Sequence, residues 1–175
     1  MRAIYINIFE SIYGPLIIGD YQGQLCLLDW QHRAARQQVD QRISRFLQAD
    51  YETKETDLHK TVIRQLTEYF QHARKEFDLP LLFAGSDFQQ RVWRQLLTIP
   101  YGKTLSYLEL SRQLGDEKAI RAVAAANGAN AISIVVPCHR VIGSHGELTG
   151  YAGGTDVKQK LLQLEGSLKQ QALLF

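Results

Sequence analysis

The sequence predicts an α+β (α/β) chain in two parts. A small N-terminal antiparallel sheet with helices occupies residues 1–84, and a mostly helical, helix-turn-helix-like part occupies residues 85–175. Three observations predict this. Between Ile4 and Trp30, short runs rich in Ile, Leu and aromatics alternate with Gly-containing turns. Apolar residues then recur at helical spacing as far as Phe70. Between Ser86 and Asp116, helix-start signals follow one another closely.

In the first part, Ile4–Phe9, Leu16–Gly19 and Leu25–Trp30 read as strands, separated by Gly14-Pro15 and Gln22-Gly23. Val39, Ile43, Phe46 and Leu47 predict a short helix. Leu58, Val62, Leu66, Tyr69 and Phe70 predict a longer one. The stretch from Phe77 to Phe83, around Pro80, reads as a strand or an extended linker. The small residues Ala84-Gly85-Ser86 then suit a domain boundary.

In the second part, Ser86-Asp87-Phe88-Gln89 has capping-box form. It opens a helix with Phe88, Val92, Trp93, Leu96 and Leu97 on one face, ended by Ile99-Pro100-Tyr101-Gly102. Ser106-Tyr107-Leu108-Glu109 is a second capping box, and Gly115 stops its helix. Asp116 caps a third helix from about Glu117 to Asn127, ended by Gly128. Ile120 and Val123 would face the core there, while Arg121, Ala124, Ala125 and Gly128 share the outer side. Such a face admits another surface closely and offers it one cation. An Ala-rich run is also simply a good helix former. A last helix spans Thr155–Glu165, with Val157, Leu161 and Leu164 on one face and Glu165 in the final turn, where its charge opposes the helix dipole.

A chain of 175 residues suffices for one or two small domains. No uninterrupted apolar stretch is long enough for a transmembrane helix, and the N-terminus lacks signal-peptide layout. Two cysteines in such a chain imply free thiols and a reducing, cytoplasmic setting. Residues 1–85 hold 10 Lys/Arg and 11 Asp/Glu, net −1; residues 86–175 hold 10 and 7, net +3, for the total of +2. The basic excess sits in the helical half, as a modest phosphate-binding footprint requires.

The most informative stretch is Pro137-Cys138-His139-Arg140, which follows the apolar run Ile132–Val136. A thiol beside an imidazole suggests an activated nucleophile, because the thiolate is the reactive form. Pro137 biases Val136 toward an extended conformation, so a strand ending at the thiol is expected. Consecutive side chains of an extended chain point to opposite faces, so His139 reaches Cys138 only through a turn or a bridging water. Taken alone, the pair also fits a buried cysteine near a loop histidine. Cys26, with His32, His59 and His72, does not have the spacing of a short zinc motif, so it reads as a buried strand cysteine and no metal is expected.

Several segments in order surround this motif: Ile120–Val123, Asn127–Asn130, Ile134–Gly143, Gly150–Gly154 and Leu161–Gly166. Together, from about Asp87 to Gly166, they resemble the O6-alkylguanine-DNA alkyltransferase family. The resemblance implies a winged helix-turn-helix that binds double-stranded DNA and transfers an alkyl group from O6 of guanine irreversibly to its own cysteine, once per molecule. It implies Cys138 as acceptor, His139 as a base acting through a water, and Glu165 as the orienting carboxylate. Tyr107 would protonate the leaving guanine, and Arg121 would fill the gap left by a flipped nucleotide. Ala122, Ala125, Asn130 and Arg140 would join the DNA-binding set, with Asn130 as the hinge to the active-site strand. Val141, Tyr151, Ala152 and Gly153 would line the base pocket. No cofactor is implied, and a monomer is expected, with O4-alkylthymine as an alternative lesion.

The chain departs from the family pattern at Ala124, where glycine is frequent, at Ala131, where proline is frequent, and at Ala152, where some relatives have serine. The rival readings are a lesion-binding protein without an acceptor, which Cys138 argues against, a winged-helix regulator with an incidental Cys-His pair, and a cysteine hydrolase, for which no separate oxyanion-hole signal exists.

Overall fold

The computed structural model describes residues 2–168. Strands β1 (Ala3–Ser11), β2 (Gly14–Tyr21) and β3 (Gln24–Trp30) form an antiparallel meander. Gly14 and Gly23 sit in its two turns at positive φ, where a side chain would be strained. A fourth strand, β4 (Asp50–Thr53), pairs in parallel with β1 and completes the order β3-β2-β1-β4. The expected antiparallel sheet is therefore a mixed one. Asp50-Tyr51-Glu52-Thr53 lies largely exposed at the sheet edge, so no apolar alternation marked it as a strand.

Helix α1 (Arg36–Leu47) connects β3 to β4 and buries Val39, Ile43 and Leu47; Phe46 faces outward instead. Helix α2 (Asp57–Phe70) buries Val62, Leu66 and Tyr69. Its capping box is formed by Thr56 with His59, whose Nδ1 accepts from the Thr56 amide while Nε2 meets the Tyr5 carbonyl at 2.9 Å. Both nitrogens of His59 are thereby engaged, and the Cys26 thiol faces the Gly19 carbonyl at 3.5 Å. After turns and bends over residues 71–76, the chain from Phe77 has no regular strand of its own and forms one parallel bridge, Leu81 with Leu25 of β3.

The capping boxes at Ser86 and Ser106 are both present, opening α3 (Asp87–Leu96) and α4 (Tyr107–Gln113). Gly115 ends the second of these at φ +90°. Asp116 caps a single 3-10 turn, Glu117–Ala119, before α5 (Ile120–Gly128) begins. Gly128 is the last residue of α5 and has no positive φ, so it is not the left-handed stop its position suggested. Helix α6 is Thr155–Leu164, and Gly166 terminates it in the left-handed region. A two-residue pair, β5 (Leu105–Ser106) with β6 (Val141–Ile142), runs in parallel beside these helices.

The apolar run before Cys138 is not a strand. One parallel bridge joins Leu28 to Ile132, and the chain then turns, with Ile134 at φ +71°. The Asn130 side chain explains the winding: Oδ1 accepts from the Ile132 amide at 3.0 Å and Nδ2 donates to the Val136 carbonyl at 2.9 Å. An Asn that satisfies both ends of a short segment replaces the ladder partners a strand would need.

The main core draws on both parts of the chain: Leu28, Tyr69 and Leu66 pack in one cluster with Trp93, Val123, Val136 and Leu161. A smaller cluster fills the space between α1 and the sheet around Ile4, Leu27, Val39 and Ile43. Among the described residues, no helix is long and apolar enough to cross a membrane. At Gly19 an added Cβ would lie 2.8 Å from the Leu27 Cβ on the neighbouring strand. Gly19→Ala is expected to destabilise the fold by about 1–3 kcal/mol in urea unfolding, through overpacking between β2 and β3.

Candidate active site

Cys138 opens a 3-10 turn, Cys138–Arg140, and is only 5% exposed. The turn stands where a strand end was expected, and among the described residues no hydrogen bond joins His139 to the Cys138 thiol. Its amides are tied locally, Cys138 N–H to the Val136 carbonyl at 2.8 Å and Arg140 N–H to the Pro137 carbonyl at 3.0 Å. His139 and Arg140 are carried inward, where both meet Glu165.

Glu165 follows the last residue of α6 and is buried with four hydrogen bonds on its carboxylate. His139 Nε2 lies 2.7 Å from Oε1, the Tyr69 hydroxyl donates to Oε1 at 2.8 Å, and Arg140 grips both oxygens through Nη2 and Nε at 2.9 Å each. Burial works against a charge here, but the contacts with His139 and Arg140 outweigh it and hold the carboxyl down at about 2. Burial also depresses the His139 pKa against the pull of Glu165. The imidazole is therefore neutral at pH 7, and an ionised carboxylate can only accept, so the ring proton resides on Nε2. That leaves a lone pair on Nδ1, a buried atom with no hydrogen-bond partner among the described residues. The Cys138 thiol itself is pushed up by burial, opposed by Asn130 and by the Lys158 ammonium. At rest the site holds a thiol rather than a thiolate.

Lys158 is fully buried in α6, donating to the carbonyls of Val141 at 2.6 Å and Thr149 at 3.0 Å. Burial lowers its pKa to about 8. It ties the acceptor turn to the loop ahead of α6. Neither Lys158 nor Tyr69 was foreseen as part of the site. A lysine on the same helical stripe as Leu161, Leu162 and Glu165 was the readable signal for the first; for the second there was none, since Tyr69 sits on an ordinary core face.

A cleft of about 720 Å³ lies beside this cluster, walled by Tyr107, by Ile120, Arg121 and Ala124 of α5, and by Gly150, Tyr151 and Ala152. Ile120 is thus partly exposed to the cleft rather than buried in the core. Tyr107 donates its hydroxyl to the Thr149 carbonyl at 3.2 Å, and Tyr151 accepts from the Trp30 indole at 3.2 Å. Asn127 lines the cleft and reaches back toward the Cys138 carbonyl at 3.5 Å, so one residue separates cleft from acceptor turn. Arg121, Ala122 and Ala125 are exposed, as expected.

Four site expectations need correction. Arg140 is 7% exposed, with its donors on Glu165 and on the Ile99 carbonyl at 2.7 Å, so it is withdrawn from any DNA-facing surface. Asn130 is likewise buried and winds the segment before Cys138; it is a hinge without a surface. Val141 is fully buried in β6 and does not line the cleft. Gly153 packs under Trp30, where a Cβ would come within 2.8 Å of the indole, and does not line it either.

The carboxylate has a defined pH signature. Its pKa is depressed from 4.5, so the stability it supplies is fully present above pH 4.5 and is lost as pH falls from there toward about 2. The depressed His139 pKa acts in the same direction, beginning as pH falls below 6.5. Glu165→Gln strands the buried Arg140 charge and is expected to lose about 3–5 kcal/mol at pH 7. It should also flatten the fall in melting temperature between pH 4.5 and 2. Calorimetric scans across that range check both.

Two family models match the chain: "6-O-methylguanine DNA methyltransferase, ribonuclease-like domain" over residues 4–83 and "6-O-methylguanine DNA methyltransferase, DNA binding domain" over residues 87–167. A methylated-DNA–protein-cysteine methyltransferase of Methanosarcina acetivorans is 42% identical over 165 residues, which is 94% of this chain and 99% of the relative. One of Mycobacterium bovis is 50% identical over 170 residues, 94% of this chain and 93% of the relative. The crystal structure of Mycobacterium tuberculosis OGT in complex with DNA superposes with a TM-score of 0.80 at 41% identity, covering 94% of each chain. A chain matched this fully across both its parts belongs to the 6-O-methylguanine DNA methyltransferase family.

Proposed function

We propose that this protein repairs DNA by moving the alkyl group of an O6-alkylguanine onto Cys138. The observation that carries the reading is the Glu165–His139 pair, whose geometry leaves Nδ1 as a free base on the residue next to a buried thiol. The thiol proton passes through a water to Nδ1. The sulfur attacks the alkyl carbon, an S–C bond forms, and the C–O6 bond breaks with its electron pair going to the purine. Tyr107, its phenol kept protonated by a pKa that burial raises, gives its proton to the leaving guanine and recovers one from His139. Atoms balance with no cofactor, and the thioether that remains cannot be hydrolysed, so each molecule acts once.

The resting thiol fits this sequence of events. An exposed thiolate would react with any electrophile; a buried thiol beside a neutral base ionises when a substrate is positioned to accept the charge. Helices α4 and α5, joined through residues 114–119, serve as the helix-turn-helix in this reading, with α5 as the element that meets duplex DNA. We place the boundary between a supporting part and a DNA-facing part near residues 84–86, and read the protein as a cytoplasmic monomer.

The reactive carbon lies inside the base stack, so the nucleotide must rotate out, which costs a few kcal/mol of unstacking. Arg121 stands on an exposed face of small residues at the mouth of the cleft and is the side chain that enters the vacated space.

Intact-mass measurement with an O6-methylguanine oligonucleotide tests the assignment. One methyl group per protein, mapped to Cys138, is expected. Cys26 serves as an internal control, since burial holds its pKa at about 12. Repeated turnover, or a label on Cys26, contradicts the reading. Arg121→Ala should slow transfer from duplex DNA at least about tenfold more than transfer from free O6-methylguanine base, because a wedge matters only where a stack must open. Tyr107→Phe should slow both reactions, because it removes the proton donor. Equal slowing of both substrates by Arg121→Ala would contradict the wedge role, whereas a mere phosphate contact would weaken binding to all DNA alike and lower the salt slope by about one.

A further inference from the structure

Helix α5 ends in an unusual way. No residue near its C-terminus adopts the left-handed conformation that closes many helices, and Ala129 stays in the right-handed region. The carbonyls of Gly128, the last residue of α5, and of Ala129 and Asn130 just past it have no backbone partner among the described residues. Each is taken by a guanidinium from the other part of the chain. Arg33, in the loop between β3 and α1, donates Nη2 to the Gly128 carbonyl and Nη1 to the Asn130 carbonyl at 3.0 Å. Arg42, on α1, donates Nη2 to the Ala129 carbonyl at 2.9 Å. The Trp93 indole adds a fourth donor, to the Ala126 carbonyl at 2.8 Å, and Arg42 lies over that ring at 5.4 Å.

These are the positions where a helix presents unpaired carbonyls and a partial negative charge, so cations there satisfy the acceptors and oppose the dipole. The arrangement is braced from behind. Asp29, fully buried, holds Arg33 at 2.9 Å and Arg36 at 3.0 Å, and accepts from Ser133 of the acceptor loop at 3.2 Å. No charged group of α5 itself lies near its end; Arg121 sits at the opposite end of the same helix.

We propose that Arg33 and Arg42 are positioning residues that clamp the C-terminal end of α5, so that the N-terminal part of the chain sets the angle at which that helix presents Arg121 to DNA. The inference rests on the reading of α5 as the DNA-facing helix and gives the N-terminal part a defined task in it. A guanidinium suits this task because its planar fork reaches two carbonyls at once, which an ammonium cannot do with the same geometry. Loss of the clamp frees the last turn of α5 while the Glu165–His139 pair, held by Tyr69 and Arg140, is untouched.

The test compares two substrates and one structural readout. Wild type, Arg42→Ala, Arg42→Lys and Arg33→Lys are each assayed for transfer from an O6-methylguanine duplex and from the free O6-methylguanine base. Amide hydrogen exchange is followed by mass spectrometry over residues 120–130. Arg42→Ala is expected to slow the duplex reaction about tenfold or more and leave the free-base reaction within about twofold. It should raise exchange in the last turn of α5 and leave α3 and α6 unchanged. The two lysine variants should fall between. The proposal is overturned if both substrates slow in parallel, or if the duplex reaction is as fast as wild type. A wild-type protein that accepts no methyl group from either substrate would refute the alkyl-transfer reading itself, a result distinct from failure of the clamp.

Discussion

The carboxylate of Glu165 is the point on which the rest of the site depends. A buried charge is tolerated only where partners replace its water, and here they come to the end of α6 from two separate segments: Tyr69 of α2 and the turn bearing His139 and Arg140. The cluster therefore does two things. It fastens the acceptor turn to both parts of the chain, and it fixes which nitrogen of His139 carries the proton. Arg140 neutralises a carboxylate placed at a helix C-terminus, a position that is unfavourable by itself.

Around that point the molecule separates attack from access. The thiol, base and carboxylate are enclosed, while the cleft lies on the other side of Asn127, walled by the small-residue face of α5 and the loop through Tyr151. Lys158 joins the two compartments, since its ammonium reaches the Val141 carbonyl behind the acceptor turn and the Thr149 carbonyl beside Tyr107. Burial keeps both Cys138 and His139 uncharged.

Much of this was legible in the residues, and the parts that were not share a cause. Ser86 and Ser106 announced their helices because capping boxes are local. Cys138 and His139 stood out through a motif in context, and the structure sets His139 against the buried Glu165. What failed was anything decided across the fold. β4 is polar and exposed, so only its pairing with β1 makes it a strand. Ile132–Val136 has strand composition, yet the Asn130 side chain takes the bonds a ladder would have supplied. Arg140 reads as a surface cation beside a DNA-binding motif, and becomes a core residue only once Glu165, distant in sequence, is brought against it. The guanidinium clamp on α5 was invisible for the same reason: Arg33 and Arg42 lie in the half with the weaker motifs.

The protonation state of His139 tests the central claim most directly. In protein labelled with nitrogen-15 at histidine, long-range proton–nitrogen correlation spectra at pH 7 distinguish the two neutral tautomers from the imidazolium. The expected result is a neutral ring with its proton on Nε2 and an unprotonated Nδ1, because Glu165 at 2.7 Å is an acceptor only. A ring protonated on Nδ1, or an imidazolium at that pH, would contradict it, since neither leaves a base for the thiol.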